Sequence, residues 1–403
     1  MSVLAAAADP TRSAILSLLQ IALVTVLATV LARLARGYVP DVVLLLGFGV
    51  LIGPHVLDWA GTAGGVDLVA QLGLGMLFLL AGYELDPELL RGRSGPAAWL
   101  TWAASLVLAT LVVTLAAPEV GFTAHVAVAI AMTSTALGTL LPILKQAGML
   151  DSALGRAVLR HGAVGELGPI LAMSLLLSSR NPLAAVVVLV LFAIAAALVA
   201  AVPRRLLARI PDLRGLLVEL GGGTVQLPVR TVLLLLFTLM AIAEVFDLDV
   251  VLGAFAAGMI LRTLVREADP RLENQLNTLG FGFLIPVFFV VSGMGIDPAA
   301  IAGNPLHWAL FVVSIAVARG GPVWLAERWF DHGGNLTSGR ERAQLALYSA
   351  TGLPIIVAVT EVATAADLMT DELASLLVAA GAATVLLFPL AARMVGRRPV
   401  AAD

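Results

Sequence analysis

Cysteine is absent from the 403 residues, which excludes disulfides, thiol nucleophiles and thiolate metal sites. Charge is scarce: 13% of residues are Asp, Glu, Lys or Arg, the formal net charge is −3, and the basic residues are scattered, never more than two in a row. Nothing in that pattern suggests nucleic acid as a partner, and none is expected. No His-Glu-x-x-His pair, nucleophile elbow or phosphate loop occurs, so an enzyme is not expected, nor is a cofactor. What fills the chain is apolar. Hydrophobic residues make up 60% and the mean hydropathy is +1.00, far outside the range of a soluble globular domain. The lipid bilayer is therefore the solvent. At roughly 20 residues per crossing the chain holds a dozen or so helices and little else. The N-terminus lacks a basic n-region, and its apolar run from Ser13 is too long for a signal-peptide core, so a retained first helix is expected.

Apolar runs between charged or Pro/Gly breaks predict thirteen spans. They lie at about 13–33, 41–57, 66–84, 95–117, 122–144, 156–178, 182–203, 230–246, 249–264, 277–296, 305–327, 342–363 and 372–392. The runs are continuous rather than alternating, which argues against a strand reading. Lys and Arg crowd cytoplasmic loops. With the N-terminus outside and the C-terminus in the cytoplasm, 20 of the 24 basic residues fall inside; Arg12 and Arg180 fall outside, and Arg160 and Arg319 lie within spans. Missing or inventing one helix would scramble that alternation.

A repeat is visible in the apolar pattern. The third span reads LGLGMLFLLAGYELDPELL from Leu72 and the tenth LGFGFLIPVFFVVSGMGIDPAAI from Leu279; both open on Leu-Gly-x-Gly and close on Asp-Pro, at Asp86-Pro87 and Asp297-Pro298. GFGVLIG in the second span resembles GAFAAGMIL in the ninth. Small residues at helical spacing also serve simple packing, but two matches at one offset of seven spans are harder to dismiss. An odd offset inverts direction, so about 13–178 and about 230–393 become inverted repeats joined by a linker helix at about 182–208. The same offset pairs AMTSTALGTLLP in the fifth span with YSATGLPIIVAV in the twelfth. Thr133, Ser134 and Thr135 in one, and Ser349, Thr351, Gly352 and Pro354 in the other, suggest helices interrupted at mid-membrane. Unwound backbone survives in a bilayer only when buried or facing a wet cavity, and paired breaks point to a transporter's substrate site. The alternative is two unbroken helices whose hydroxyls bond back to their own carbonyls.

Within the limits above, Glu166 and Arg319 are the only charged residues at mid-depth; Glu84, Glu244 and Glu361 lie near span ends. A charge at the bilayer centre costs at least roughly 2.5 to 3.5 kcal/mol and tends to mark an ion or proton pathway. A carboxylate poised between desolvation and a neighbouring cation can hold a proton or a bare alkali cation, the minimum chemistry of exchange. Hydroxyls and freed carbonyls of the breaks would complete the ligands. A plain Glu166–Arg319 helix clamp is the competing account. His161 lies about 140° around the helix from Glu166; a packing histidine is the preferred reading and a pH sensor the other. Arg160 can snorkel to the cytoplasmic edge.

These residues resemble the monovalent cation:proton antiporter superfamily, closest to the branch of bacterial sodium/proton and Kef-type potassium antiporters, over nearly all thirteen helices. Gly155-Arg156 with Glu166 eleven residues after the glycine, Ser134-Thr135-Ala136, Arg319 within ARGGPV, LGAFAAGMIL and GYELDP carry the likeness. The resemblance implies a scaffold of spans 1 to 3 and 8 to 10, a core of spans 4 to 6 and 11 to 13 that moves to carry the site across, and a homodimer in the inner (plasma) membrane. Together with the breaks read above, it makes Glu166 with Thr133, Ser134 and Thr135 the expected cation and proton site and Arg319 its charge partner, with Gly165, His161, Ser349 and Thr351 as accessory residues. The family's ion-binding pair is usually Asp-Asp, Asn-Asp or Gln-Asp, whereas Gly165-Glu166 stands here. One branch has a Glu at the place of His161 and pairs it with the eleventh-helix Arg, which leaves Arg319 to turn to Glu166. Another has Asp at the place of Ser134. One central carboxylate exchanging one cation for one proton would be electroneutral. Kef-type relatives often append a regulatory domain; none is expected within these residues. The alternatives are a sodium-coupled solute symporter on a related scaffold and a non-transporting membrane sensor.

Overall fold

The computed structural model describes residues 10–35, 39–85, 94–119, 121–176, 182–209, 226–265, 270–329, 336 and 338–396. Asp86-Pro87, which closes one copy of the repeat, lies outside the described residues, as do Arg36, Arg91, Arg93, Arg180, Arg214, Arg266, Arg397 and Arg398.

The described residues contain no strand. In a chain this apolar each backbone N–H and C=O must be satisfied within its own segment, and helices do that. The helices are α1 (Pro10–Leu34), α2 (Asp41–Ile52), α3 (Val66–Glu84), α4 (Ser94–Ala116), α5 (Phe122–Met132), α6 (Leu137–Gln146), α7 (Ala153–Leu176), α8 (Pro182–Arg209), α9 (Leu227–Val245) and α10 (Val250–Leu264). They continue with α11 (Pro270–Leu279), α12 (Ile285–Met294), α13 (Pro298–Gly303), α14 (Pro305–Ile315), α15 (Gly321–Trp329), α16 (Gly339–Ser349), α17 (Pro354–Ala365) and α18 (Asp371–Gly396). A π turn, Gly280–Leu284, joins α11 to α12, and another, Ala316–Gly320, joins α14 to α15. Helix therefore occurs at each of the thirteen expected positions. Among the described residues ten segments are long and apolar enough to cross a membrane; α2 and α10 are shorter, and α7 carries Arg156, Arg160 and Glu166. Length and composition alone thus leave the count of crossings at ten or more.

Local chemistry sets several boundaries. Asp249 caps α10 by accepting the Val251 N–H at 2.7 Å, and Asp297 caps α13 by accepting that of Ala299 at 2.8 Å. Ser338 and Glu341 form a capping box at the start of α16.

Two compact units are present. One comprises Met1–Ala70, Pro87–Ala172 and Pro286–Asp403; the other comprises Gln71–Asp86 and Met173–Ile285. Within the first, α2 crosses α12 so closely that a Cβ on Gly49 would overlap the Val290 carbonyl oxygen, and one on Gly293 would overlap that of Leu46. Within the second, α3 crosses α10 in the same manner: a Cβ on Gly82 would overlap the Phe255 carbonyl and one on Gly258 that of Leu79. Exchanging second for ninth span and third for tenth converts one crossing into the other, as inverted repeats require.

Candidate ion-binding site

The first unit holds every site residue expected from the sequence. The fifth and twelfth segments are interrupted where the hydroxyl clusters stand: α5 ends at Met132 and α6 begins at Leu137, while α16 ends at Ser349 and α17 begins at Pro354. The breaks meet. Ala136 N–H donates to the Thr351 carbonyl at 2.7 Å, and Thr135 Oγ1 donates to the Ser349 carbonyl at 2.5 Å. A Cβ on Gly352 would lie 2.5 Å from the Ser134 carbonyl oxygen, so glycine is what permits the approach. Thr133, Ser134, Thr135, Ser349 and Thr351 are all buried. Three of their hydroxyls do bond back, Thr133 to Ala129, Ser134 to Ala131 and Thr351 to Leu347, yet the helices are broken all the same. Each donates its proton to a carbonyl and keeps oxygen lone pairs for another partner.

Helix α7 joins this crossing through its backbone, for a reason written in its sequence. Pro169 sits inside α7 and has no N–H to give the carbonyl four residues earlier, which belongs to Gly165. That freed carbonyl accepts the Thr135 N–H at 2.8 Å. One proline thereby ties α7 to the broken fifth segment at the residue next to Glu166, which is itself buried.

Arg319 enters from the π turn between α14 and α15. A π turn inserts an extra residue and redirects the side chains around it. The guanidinium is fully buried; Nε donates to Thr135 Oγ1 at 3.2 Å and Nη2 to the His161 carbonyl at 2.7 Å. Its Nη1, and the Ser349 hydroxyl, are buried without a hydrogen-bond partner among the described residues. The guanidinium N–H is free for an acceptor, and the hydroxyl oxygen for a donor or a cation.

Gly165 acquires a physical reason here. A Cβ at that position would overlap Thr135 Oγ1 and Arg319 Nη2 and lie 2.7 Å from Thr135 Cβ. The space that an Asp, Asn or Gln side chain would need is filled by the arginine.

One residue escaped the sequence reading. His161 is buried and pairs through Nε2 with Glu327 Oε1 at 3.2 Å, and the side chain of Glu327 is 3% exposed. Glu327 closes the eleventh expected span, where a carboxylate reads as interfacial; its burial comes from α15 packing on α4 and α16. Arg160 is close enough to Glu327 to interact electrostatically. No group of three or more His, Asp or Glu with metal-binding geometry occurs among the described residues.

Comparison with known proteins agrees with this architecture. The chain is 24% identical over 352 residues to the putative Na(+)/H(+) antiporter YjbQ of Bacillus subtilis, covering 81% of this chain and 55% of the relative. It is 25% identical over 273 residues to the probable Na(+)/H(+) antiporter 3 of Methanocaldococcus jannaschii, covering 64% of this chain and 65% of that protein. It is 27% identical over 287 residues to the glutathione-regulated potassium-efflux system protein KefC of Escherichia coli, covering 70% of this chain and 45% of that protein. The chain thus spans about half to two thirds of the curated relatives it matches. In fold it is similar to the sodium proton antiporter MjNhaP1 of M. jannaschii, with a TM-score of 0.69 at 19% identity, covering 95% of this chain and 98% of that structure. The transmembrane sodium/hydrogen exchanger model matches residues 21–396, from the first helix to the end of α18, and the chain belongs to that family.

Proposed function

We propose that the chain exchanges a monovalent cation, sodium or potassium, for protons across the cell membrane by elevator-like alternating access, with Glu166 as the shared cation and proton site. The observation that carries this reading is the buried convergence of two helix breaks, the middle of α7 at Gly165 and Arg319 in one unit. The names of its relatives, two sodium/proton antiporters and a potassium-efflux protein, support the same chemistry.

The mechanism follows from charge and geometry. A bare carboxylate deep in a bilayer is costly, so Glu166 crosses carrying either a cation or a proton and never neither. The C-terminal carbonyls of α5 and α16 bring partial negative charge to the crossing, and the N-termini of α6 and α17 bring partial positive charge. Thr133, Ser134, Thr135, Ser349 and Thr351 offer neutral oxygens suited to a hard alkali ion. Arg319 remains a fixed cation, so one cation against one proton leaves the loaded forms equal in charge, and exchange is electroneutral. The moving core is spans 4 to 6 and 11 to 13. We further propose a homodimer with the N-terminus outside and the C-terminus in the cytoplasm.

The test uses purified protein in liposomes. Proton flux is followed after addition of sodium, potassium or lithium, for wild type and Glu166→Gln, with and without a clamped membrane potential. Cation-driven proton flux that Glu166→Gln abolishes supports the reading. Flux that survives in Glu166→Gln, or its absence with all three cations, overturns it. A clear voltage dependence overturns electroneutrality alone.

A further inference from the structure

The geometry points to Glu327 as a positioning residue for the ion site, acting through His161 on Arg319; this rests on the reading of Glu166, Thr135 and Arg319 as that site. Four contacts link the residues in series. Glu327 Oε1 pairs with His161 Nε2 at 3.2 Å, the His161 carbonyl accepts Arg319 Nη2 at 2.7 Å, Arg319 Nε donates to Thr135 Oγ1 at 3.2 Å, and Thr135 Oγ1 donates to the Ser349 carbonyl at 2.5 Å. The series begins in α15 and ends at the break of the twelfth segment.

The logic lies in what holds residue 161. Its backbone carbonyl orients the guanidinium, and a carbonyl is only as fixed as the helix that bears it. Its side chain is pinned from the other helix by a carboxylate eight residues beyond Arg319. The π turn and α15 thus hold one residue of α7, His161, from two positions eight residues apart, by its carbonyl and by its ring. The ring contact keeps the carbonyl contact in register, so that Arg319 meets Thr135 and lies against Gly165. Both a neutral imidazole with its proton on Nε2 and a charged one can donate to this carboxylate. Burial makes the pair demanding to dismantle, because removing either partner costs the other its contact in the interior.

Residues that orient the groups around a bound cation typically cost 10- to 100-fold in affinity when removed. Glu327→Gln is therefore expected to raise the apparent KM for the driving cation about tenfold while the maximal rate stays within about threefold. Glu327→Asp should fall between Gln and wild type, and the exchanged pair His161→Glu with Glu327→His should recover most of the loss. Cation-induced thermal stabilisation of the detergent-purified protein reads affinity without transport, and the same order is expected there. An unchanged KM in Glu327→Gln overturns the proposal, because a purely structural residue would lower folded yield and rate and leave affinity alone. So does an exchanged pair no better than the single variants; if Glu327→Gln does not fold, Glu327→Asp and the exchanged pair decide. Arg160→Gln is expected to leave KM within twofold; a rise equal to that of Glu327→Gln assigns Glu327 to Arg160 and overturns the link through His161. Retention of flux in Glu166→Gln, by contrast, tells against the site itself.

Discussion

Gly165→Ala is the sharpest perturbation of the site, because it adds one methyl group where the structure has none to spare. That methyl overlaps Thr135 Oγ1 and Arg319 Nη2 and lies 2.7 Å from Thr135 Cβ. Thr135 cannot retreat easily, since its N–H is held by Gly165 and its hydroxyl by the Ser349 carbonyl. The guanidinium must give way instead. Overpacking of this kind costs about 1 to 3 kcal/mol, and the helix gains roughly 1 kcal/mol from replacing glycine. The variant should therefore fold, losing at most about 2 kcal/mol. Function should suffer more. Each hydrogen bond that Arg319 surrenders is a charged one worth about 1.5 to 3 kcal/mol, so losing one lowers exchange by about 10- to 100-fold. The assay is cation-driven proton flux in liposomes beside thermal unfolding in detergent. Gly47→Ala is the control, because a Cβ there meets nothing within 4 Å. If Gly165→Ala exchanges like wild type, the arginine does not need that space and the explanation of Gly165 is refuted.

Three further outcomes follow from single contacts. Pro169→Ala restores an N–H for the Gly165 carbonyl and sets it against Thr135; thermal stability should rise, by up to about 3 kcal/mol from helix propensity, while exchange falls. A variant both less stable and fully active would contradict the link. Gly352→Ala drives a methyl to 2.5 Å from the Ser134 carbonyl, so the crossing opens, with a loss of about 1 to 3 kcal/mol in unfolding measurements and no measurable flux. Ser338→Ala removes one half of the capping box on α16 and should cost about 1 kcal/mol, read as a lower Tm with KM unchanged.

Much of this molecule is legible in one dimension because its solvent is so restrictive. Where backbone groups cannot reach water, a long apolar run has one conformation open to it, and so helix appears at each of the thirteen positions read from hydropathy. The inverted repeat is legible for the same reason: crossings as close as Gly49 on Val290 and Gly82 on Phe255 demand small residues at fixed offsets, and those offsets survive in the string. The breaks at 133–136 and 350–353 were announced by hydroxyls beside Gly and Pro. Glu166 and Arg319 were announced by the cost of charge at mid-depth. Partnerships were not. Whether Arg319 reaches Thr135 and the His161 carbonyl, and whether His161 meets Glu327 166 positions away, depends on the rotation of two helices about their own axes. A π turn resets that rotation by about one residue, and the apolar pattern of a helix buried on nearly all sides, as α7 is, does not encode it. Pro169 shows the boundary between the two: its missing N–H is certain from the sequence, but only the fold determines that Thr135 is the donor that takes its place.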